Sequence, residues 1–306
     1  MKRGESGLSG LIAIDKPAGM TSHDVVDRVR RIYGERRCGH AGTLDPAATG
    51  LLIVAVGPAT RLCSQVGDQG KSYLAHIVFG TATDTDDAQG AVMEKAPVGD
   101  DLAEREVAER LLASFTGTIE QVPPRYSAIK KASRKAYEAA RAGEEFELEA
   151  REVTVHAAHL LQVCRDGSDG TLAWDVVFDV SKGTYVRALA RDIGKTAGTC
   201  AHLGELRRLT LGSVRLSMAH GLDELAGLSF DEACIDPVQV LGIPAYDLSA
   251  EDARKVASGG KLSLGLGMTG ELVAVTHAGR LLALYEHGDT CYRPRTVIPG
   301  GVTRGV

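Results

Sequence analysis

The amino-acid sequence predicts an α+β fold with a small β domain at its C-terminal end. Amphipathic segments alternate with short apolar runs, and the two patterns are typical of surface helices and buried strands. The apolar runs lie between turn residues at 10–14, 51–56, 71–80 and 172–180. Residues 271–286 form two further runs around His277-Ala278-Gly279-Arg280, which indicates a β-hairpin in the C-terminal part.

The first helix is predicted from its end signals as well as from its apolar spacing. A strand at 10–14 is followed by a turn at 15–19, after which Thr21 or Ser22 suits the N-cap and Asp24 the first turn. Gly34 marks the end of the helix. Its buried face is predicted to carry Val25, Val26, Val29 and Ile32.

The segment 39–50 is the densest cluster of special residues in the chain. It holds three glycines, His40, Asp45 and Pro46 within twelve residues, and it leads into the apolar run 51–56. Glycine and proline at this density predict a tightly turned loop, and the proline disfavours a helix at Asp45. Asp45 is therefore a candidate functional carboxylate, although an aspartate in such a turn can also serve only to cap it.

Several later elements follow from local signals. Residues 83–90 resemble a calcium loop but lack its glycine and its final glutamate, so an acidic turn with Asx-type hydrogen bonds is predicted instead. A helix is predicted at 101–115, and a basic helical stretch is predicted after Pro123-Pro124, to about residue 142. The strand at 172–180 is followed by a turn and then by a helix that begins near Tyr185 and Arg187.

The charge pattern excludes a uniformly basic protein but leaves two basic segments. The 306 residues carry a formal net charge of -5. Residues 125–141 nevertheless hold six basic residues and one acidic residue, and residues 182–215 hold seven and two. We expect these segments to form two basic faces suited to RNA phosphates, although a charge cluster is often only a solvated surface. Six widely spaced cysteines favour reduced thiols over disulfides or a zinc site.

The motif at 39–50 resembles the catalytic motif of the TruB family of tRNA pseudouridine synthases. The resemblance rests on Gly39-His40-x-Gly42-Thr43-Leu44-Asp45-Pro46-x-Ala48-Thr49-Gly50-x-Leu52 and on the second signature Gly183-Thr184-Tyr185-x-Arg187. It implies a pseudouridine synthase fold, with a mixed, largely antiparallel β-sheet flanked by helices and loops. It also implies that Asp45 is the catalytic residue and that no cofactor and no metal are used.

The resemblance implies further roles, one residue at a time. His40 is expected to contact or replace the displaced nucleotide, and Tyr73 to pack against the target uracil. Tyr185 is expected to contact the target nucleotide, and Arg187 to pair with the catalytic carboxylate. Leu206 is expected to line the uracil pocket, and Asp87 is a possible member of the polar network. Tyr73 and Leu206 also have plain structural interpretations, as a strand aromatic and as part of a surface segment.

The predicted domain organisation follows the same resemblance. A catalytic domain is expected at 1–240, with a basic insertion at about 122–146 that closes over the RNA. A PUA-like RNA-binding domain is expected at 245–306. No apolar stretch reaches the roughly 20 residues of a membrane helix, and the first seven residues lack the apolar core of a secretion signal. We therefore expect a cytoplasmic monomer with no membrane partner.

The predicted reaction is the conversion of a uridine to pseudouridine in the T-arm stem-loop of tRNA, with position 55 as the expected target. The RNA must be opened so that the base leaves its stack. An RNA-binding or tRNA chaperone-like protein with little catalysis is the alternative, supported by the basic insertion and the terminal β domain. A hydrolase that uses Asp45 is a more distant option, because no second carboxylate cluster accompanies it.

Overall fold

The computed structural model describes residues 6–126, 148–165, 171–263 and 267–305, together with the backbone of 130–131 and 134–135. The helices are α1 (Ser22–Tyr33), α2 (Cys63–Gly67), α3 (Arg105–Ser114), α4 (Val186–Thr196), α5 (Phe230–Ala233), α6 (Pro237–Leu241) and α7 (Ala250–Ala257). Short 3-10 helices lie at Gly57–Leu62, Asp100–Ala103, Leu216–Met218 and Glu224–Gly227. Within the described residues, no helix is long and apolar enough to cross a membrane.

The strands contain more of the described residues than the helices do. The first ten are β1 (Gly10–Lys16), β2 (Cys38–Ala41), β3 (Thr49–Val56), β4 (Lys71–Phe79), β5 (Thr81–Thr83), β6 (Val92–Lys95), β7 (Gly117–Gln121), β8 (Lys130–Lys131), β9 (Arg134–Lys135) and β10 (Arg151–Arg165). The others are β11 (Leu172–Val180), β12 (Ala201–Leu211), β13 (Val214–Arg215), β14 (Cys234–Ile235), β15 (Ala245–Asp247), β16 (Leu262–Ser263), β17 (Leu272–His277), β18 (Arg280–His287) and β19 (Cys291–Thr303).

The chain divides into two compact units, one of which is built from both ends of the sequence. The first unit contains residues 1–69 and 208–306, and the second contains residues 70–207. This division differs from the predicted boundary near residue 240, and the assignment of 245–306 as a PUA-like domain stays a prediction. The predicted α+β class is confirmed, with largely antiparallel strand pairing and a C-terminal β domain.

The first unit packs its N-terminal strands against the C-terminal part of the chain. β1 pairs antiparallel with both β3 and β14, and β2 pairs antiparallel with β3. In the C-terminal β domain, β17 pairs with β18 and β18 with β19, and β15 runs parallel to β17. One apolar core includes Leu11, Ile53, Leu281 and Val302, so the two ends of the chain share their buried surface.

The second unit contains an antiparallel sheet with a buried and a half-open face. β4 pairs with β11, β11 with β10, and β10 with β7, all antiparallel. Alternate residues of β11, including Trp174 and Phe178, are fully buried, whereas Asp175 and Asp179 on the other face are partly exposed. This period of two is what the apolar pattern of 172–180 predicts for one covered face.

Predictions that rest on signals within a single element, such as helix caps, agree with the structure. Thr21 caps α1 in a capping box with Asp24, and Gly34 ends the helix in the left-handed conformation. The predicted helix at 101–115 begins later, at Arg105, after the 3-10 helix Asp100–Ala103. The predicted basic helix after Pro124 is wrong at 125–126, which are not helical, and at 130–131 and 134–135, where the backbones of β8 and β9 pair antiparallel. The rest of the predicted helix lies outside the described residues.

Candidate active site

The predicted catalytic loop connects two paired strands of the first unit. β2 ends at Ala41 and β3 begins at Thr49, and their register places His40 opposite Val54. Asp45 is partly buried on the loop between them, and its carbonyl accepts a hydrogen bond from Ala48 N at 3.1 Å. The sequence predicted one loop from residue 39, but His40 lies in β2 because the strand pairing extends to Ala41.

The first residue of α1 holds the loop immediately before Asp45. Ser22 is buried, its hydroxyl donates to Leu44 O at 3.1 Å, and the same oxygen accepts from Leu44 N at 2.9 Å. Both backbone groups of Leu44 are thereby satisfied by one side chain. The position of the Asp45 backbone is therefore tied to the start of a capped helix.

A fully buried lysine supports the other side of the loop. Lys16 lies at the end of β1, and its Nζ donates to Pro17 O at 2.9 Å, Met20 O at 2.7 Å and Pro46 O at 3.2 Å. Burial lowers the pKa of the Lys16 ammonium, and the negative charge of Asp45 partly opposes that lowering. The sequence analysis placed Lys16 in a turn and missed this role. A lysine that ends an apolar strand was the available signal.

A second buried cation lies beneath the loop. Arg208 has no exposed surface, and its guanidinium donates from Nε to Leu51 O at 2.7 Å and from Nη2 to Gly42 O at 3.1 Å. It therefore joins the entry of the loop that holds Asp45 to β3. The prediction that Arg208 belongs to a basic RNA-facing surface is wrong, because its donors are directed at buried backbone carbonyls.

Burial favours the neutral form of His40. Burial is the main cause that lowers the pKa of its imidazole, and the charge of Arg208 and the neighbouring His23 lower it further. Its Nδ1 is buried and has no hydrogen-bond partner among the residues that the structure describes. A neutral imidazole has one donor and one acceptor, so His40 can offer either to a nucleotide.

In the second unit, a buried glutamine fixes the backbone of Tyr185. Tyr185 is the N-cap residue of α4. The amide side chain of Gln121 accepts from Tyr185 N at 2.9 Å and donates to Tyr185 O at 3.2 Å. Gln121 is 2% exposed, so this pair of bonds is shielded from water. The tyrosine is thus presented at a fixed position at the start of the helix.

Arg187 is the second residue of α4 and is almost wholly buried. Its two terminal nitrogens donate to Thr85 O and Tyr126 O, each at 3.0 Å, and its Nε lies 3.7 Å from Asp87 Oδ2. The guanidinium therefore ties α4 to the acidic turn at 83–90. Like Arg208, Arg187 does not belong to an exposed basic face, and this part of the charge prediction is wrong. Its predicted pairing with Asp45 stays a prediction.

The acidic turn is fixed by a second arginine and by strand β12. Asp86 adopts a φ of 59°, and its carboxylate accepts from Arg191 at 2.9 Å. Burial raises the pKa of Asp86, and the charge of Arg191 opposes that rise. Leu203 in β12 exchanges backbone hydrogen bonds with Asp86 and Ala88. Asx-type bonds occur as predicted, including Gln89 N to Asp87 Oδ1 at 3.0 Å.

The remaining predicted residues lie on strands of the second unit. Tyr73 is in β4, 7% exposed and in register with Phe178. Leu206 is in β12 and is partly exposed. The structure thus groups His40 with Asp45 in the first unit, and Asp87, Tyr185 and Arg187 at the start of α4 in the second. The assigned roles of these seven residues stay predictions.

The fold of this chain is shared with solved structures. It is similar to the solved structures titled "Crystal Structure of a Cbf5-Nop10-Gar1 Complex" and "Structure of H/ACA RNP bound to a substrate RNA containing 2'-deoxyuridine". The first match has a TM-score of 0.70 at 24% identity and covers 96% of this chain and 85% of that chain. The second has a TM-score of 0.69 at 22% identity, with coverages of 94% and 84%. These likenesses give the chain the pseudouridine synthase fold.

The family follows from closer matches. Residues 30–186 match the model of the TruB family pseudouridylate synthase N-terminal domain, and residues 187–240 match the tRNA pseudouridylate synthase B C-terminal domain. The tRNA pseudouridine synthase B of Thermobifida fusca is 44% identical over 95% of this chain and 99% of its own length. That of Mycobacterium tuberculosis H37Rv is 41% identical, over 95% and 98%. The chain belongs to the TruB family.

Proposed function

We propose that this protein isomerises a uridine of tRNA to pseudouridine, and that the target lies in the T-loop at the expected position 55. The proposal is carried by Asp45, a carboxylate whose loop is held from three sides by buried side chains. Ser22 binds the backbone before it, Lys16 binds the carbonyl after it, and Arg208 binds the entry of the loop. Preorganisation of this kind favours a reaction that depends on one positioned group.

The reaction leaves the atoms of the nucleotide unchanged. The bond between the ribose C1′ and uracil N1 breaks, a bond between C1′ and C5 forms, and the proton that C5 loses is balanced by the one that N1 gains. No electrons are transferred, so the proposed chemistry needs one nucleophile and a place for the rotating base. We assign the nucleophile to Asp45. Attack on the sugar and attack on the uracil ring are both compatible with that assignment, whereas assistance of glycal formation would use Asp45 as a base.

The base must leave the RNA stack before the reaction. Extrusion of a base costs a few kcal/mol, which stacking and phosphate contacts can offset. We assign stacking and contact with the uridine to Tyr73 and Tyr185, and the apolar wall of its pocket to Leu206. His40, which is neutral, is assigned to the nucleotide that the extruded base displaces. These assignments rest on the family motifs. The fixed backbone of Tyr185 also supports the assignment of that residue.

Arg187 is proposed to hold the catalytic carboxylate ionised and correctly oriented. An arginine favours the charged form of a carboxylate and binds it with two parallel donors. Its burial and its bonds to Thr85 and Tyr126 would fix the position of the guanidinium. Asp87 lies 3.7 Å from Arg187 Nε, and we assign it to the same polar network.

The test is pseudouridine formation on a T-arm stem-loop RNA by the wild type and by Asp45→Asn. Asparagine has nearly the same shape, so the loop and the RNA affinity should be preserved, while pseudouridine formation should fall by at least about 10³-fold. Product analysis of the RNA gives the rate, and RNA binding is measured in parallel. Retained pseudouridine formation by Asp45→Asn would reject Asp45 as the nucleophile. Binding without modification by the wild type would favour the RNA-binding alternative.

A further inference from the structure

An exposed group of arginines lies on the first unit, away from the catalytic loop. Residues 28–37 contain five arginines and one acidic residue, in a chain whose formal net charge is -5. We define the arginine surface as Arg30, Arg31, Arg36, Arg37 and Arg61. All except Arg30 are exposed. The use of arginine alone, with no lysine, is typical of phosphate recognition, because a guanidinium binds phosphate oxygens with paired donors.

Contacts within the unit join these arginines into one surface. Arg37 Nε donates to Thr60 Oγ1 at 2.9 Å, which lies beside Arg61. Arg61 in turn donates to the carbonyl of Val297 in β19. The surface therefore runs from the end of α1 to the last strand of the C-terminal β domain, over residues that belong to one compact unit.

The acidic residue in this segment does not neutralise the arginines. Glu35 is 3% exposed, and its carboxylate accepts hydrogen bonds from Ser6 N and Ser6 Oγ at 2.8 Å and from Arg37 N at 2.9 Å. These bonds outweigh the opposing effect of burial and lower the pKa of Glu35. Its oxygens are therefore used to fold the turn after α1. Within the described part of the chain, Arg31 and Arg36 have no ion-pair partner.

The surface also contains a depression with an unsatisfied donor. An open depression of about 520 Å³ is lined by Arg30, Arg31, Gly34, Glu35 and Arg36. The Nε of Arg30 is buried and has no hydrogen-bond partner among the described residues, although its other nitrogens bind Asp27 and Cys38 O. A buried donor without an acceptor is costly, and it is the exposed guanidinium groups of Arg31 and Arg36 that could bind an oxyanion in the depression.

The length of α1 places this surface relative to Asp45. α1 begins at Ser22, which binds Leu44, and has 12 residues, so its far end lies about 18 Å from the loop at 1.5 Å per residue. That length corresponds to at least five base-pair steps, since A-form RNA rises less per step than the 3.4 Å of B-form DNA. A duplex stem that runs along α1 from a nucleotide at Asp45 would therefore reach the arginine surface.

We propose that the arginine surface binds backbone phosphates of the RNA duplex that continues from the modified loop. The proposal rests on the proposed function for the identity of the RNA. In this proposal the surface adds to the affinity for RNA but does not recognise its bases. Phosphate contacts position an RNA and carry no sequence information of their own. The surface would let the enzyme distinguish a loop on a full-length stem from the same loop on a short one.

The experiment measures the affinity of Arg31→Gln/Arg36→Gln for an unmodified full-length tRNA transcript over a range of salt concentrations. Each lost phosphate contact should lower the salt slope of log K by about 0.9, so affinity at 0.1 M salt should fall about eightfold per contact and roughly 60-fold for two. Arg31→Lys/Arg36→Lys should recover most of the slope, because it keeps the charges. Arg110→Gln, an exposed helical arginine of the other unit, is the matched control and should bind as the wild type does.

A second RNA distinguishes the stem from the loop. On a T-loop hairpin with a stem of about three base pairs, the double variant and the wild type should bind equally, because the stem ends before the surface. Equal binding of full-length tRNA by the double variant and Arg110→Gln, or an equal loss on both RNAs, would overturn the proposal. If the wild type forms no pseudouridine on either RNA, the proposed function fails while the binding comparison still decides the role of the surface.

Discussion

Replacing Arg208 with methionine should lower the free energy of unfolding by about 2–4 kcal/mol. Methionine fills much of the same volume but donates no hydrogen bonds, so Leu51 O and Gly42 O both lose their bond to the guanidinium. A buried acceptor without a partner costs about 1–3 kcal/mol, which gives roughly 2–6 kcal/mol for two. Removal of a fully buried cation recovers part of its desolvation energy, and we therefore expect the lower part of that range.

Urea unfolding followed by far-ultraviolet circular dichroism measures this change. A second readout is the pKa of His40, followed by NMR, because the charge of Arg208 contributes to lowering it. The pKa of the His40 imidazole should therefore rise in Arg208→Met. A general loss of packing elsewhere in the unit would lower stability without this specific shift, so the two readouts together identify the buried cation as the cause.

Arg215→Met is the matched control, since Arg215 lies in β13 of the same unit and is exposed. Its effect on stability should stay within about 0.5 kcal/mol. The reasoning is refuted if Arg208→Met is as stable as Arg215→Met and the His40 pKa is the same in both variants. If Arg208→Met loses stability but the His40 pKa is unchanged, the hydrogen bonds of Arg208 stabilise the fold while its charge has no effect on His40.

Two further variants test His40 and the packing of α4. The lowered His40 pKa means that the unfolded chain binds a proton more readily, so stability should fall as the pH drops below about 6.5, by at most about 1.4 kcal/mol per pH unit. His40→Gln should remove this dependence of the free energy of unfolding on pH between about pH 5 and 7. The control His156→Gln, which replaces an exposed histidine, should keep it. The same pH dependence in the wild type and both variants would count against burial of His40. Gly194→Ala would place a Cβ 2.5 Å from Ala201 N, so it should destabilise by about 1–3 kcal/mol, measured as a lower urea midpoint. Gly227→Ala, whose Cβ would meet nothing within 4 Å, should be near neutral, and equal midpoints for the two variants would contradict the close contact between α4 and β12.

Much of the fold could be predicted because its signals are local. The capping box of Thr21 and Asp24 and the final Gly34 of α1 are contained in the sequence of one helix. The strand at 172–180 was predicted with its observed bounds, since every second residue faces a covered surface. The basic segment after Pro124 has no such constraint, and a pattern compatible with a helix proved to be strand at 130–131 and 134–135.

The support of the catalytic loop could not be predicted, because it depends on contacts distant in sequence. Arg208 reaches carbonyls 157 and 166 residues away, and Lys16 reaches one 30 residues away. A count of charges along the chain treats such buried cations as surface residues, as it did for Arg187 and Arg208. The same count overlooked residues 28–37, whose charge becomes significant only when the structure shows Glu35 buried and the arginines exposed.

The division of the first unit between the two ends of the chain has a consequence for synthesis on the ribosome. The second unit, residues 70–207, is continuous and can fold as soon as its strands have emerged. The first unit is complete only once residue 303 has been synthesised, because Thr303 N bonds to Ser9 O and β14 pairs with β1. At about 5–20 residues per second, roughly 10–50 seconds pass between the synthesis of residue 69 and that of residue 303. Asp45 is therefore translated long before the unit that surrounds it is complete, and a chain released before residue 303 would carry the motif at 39–50 in an incomplete unit.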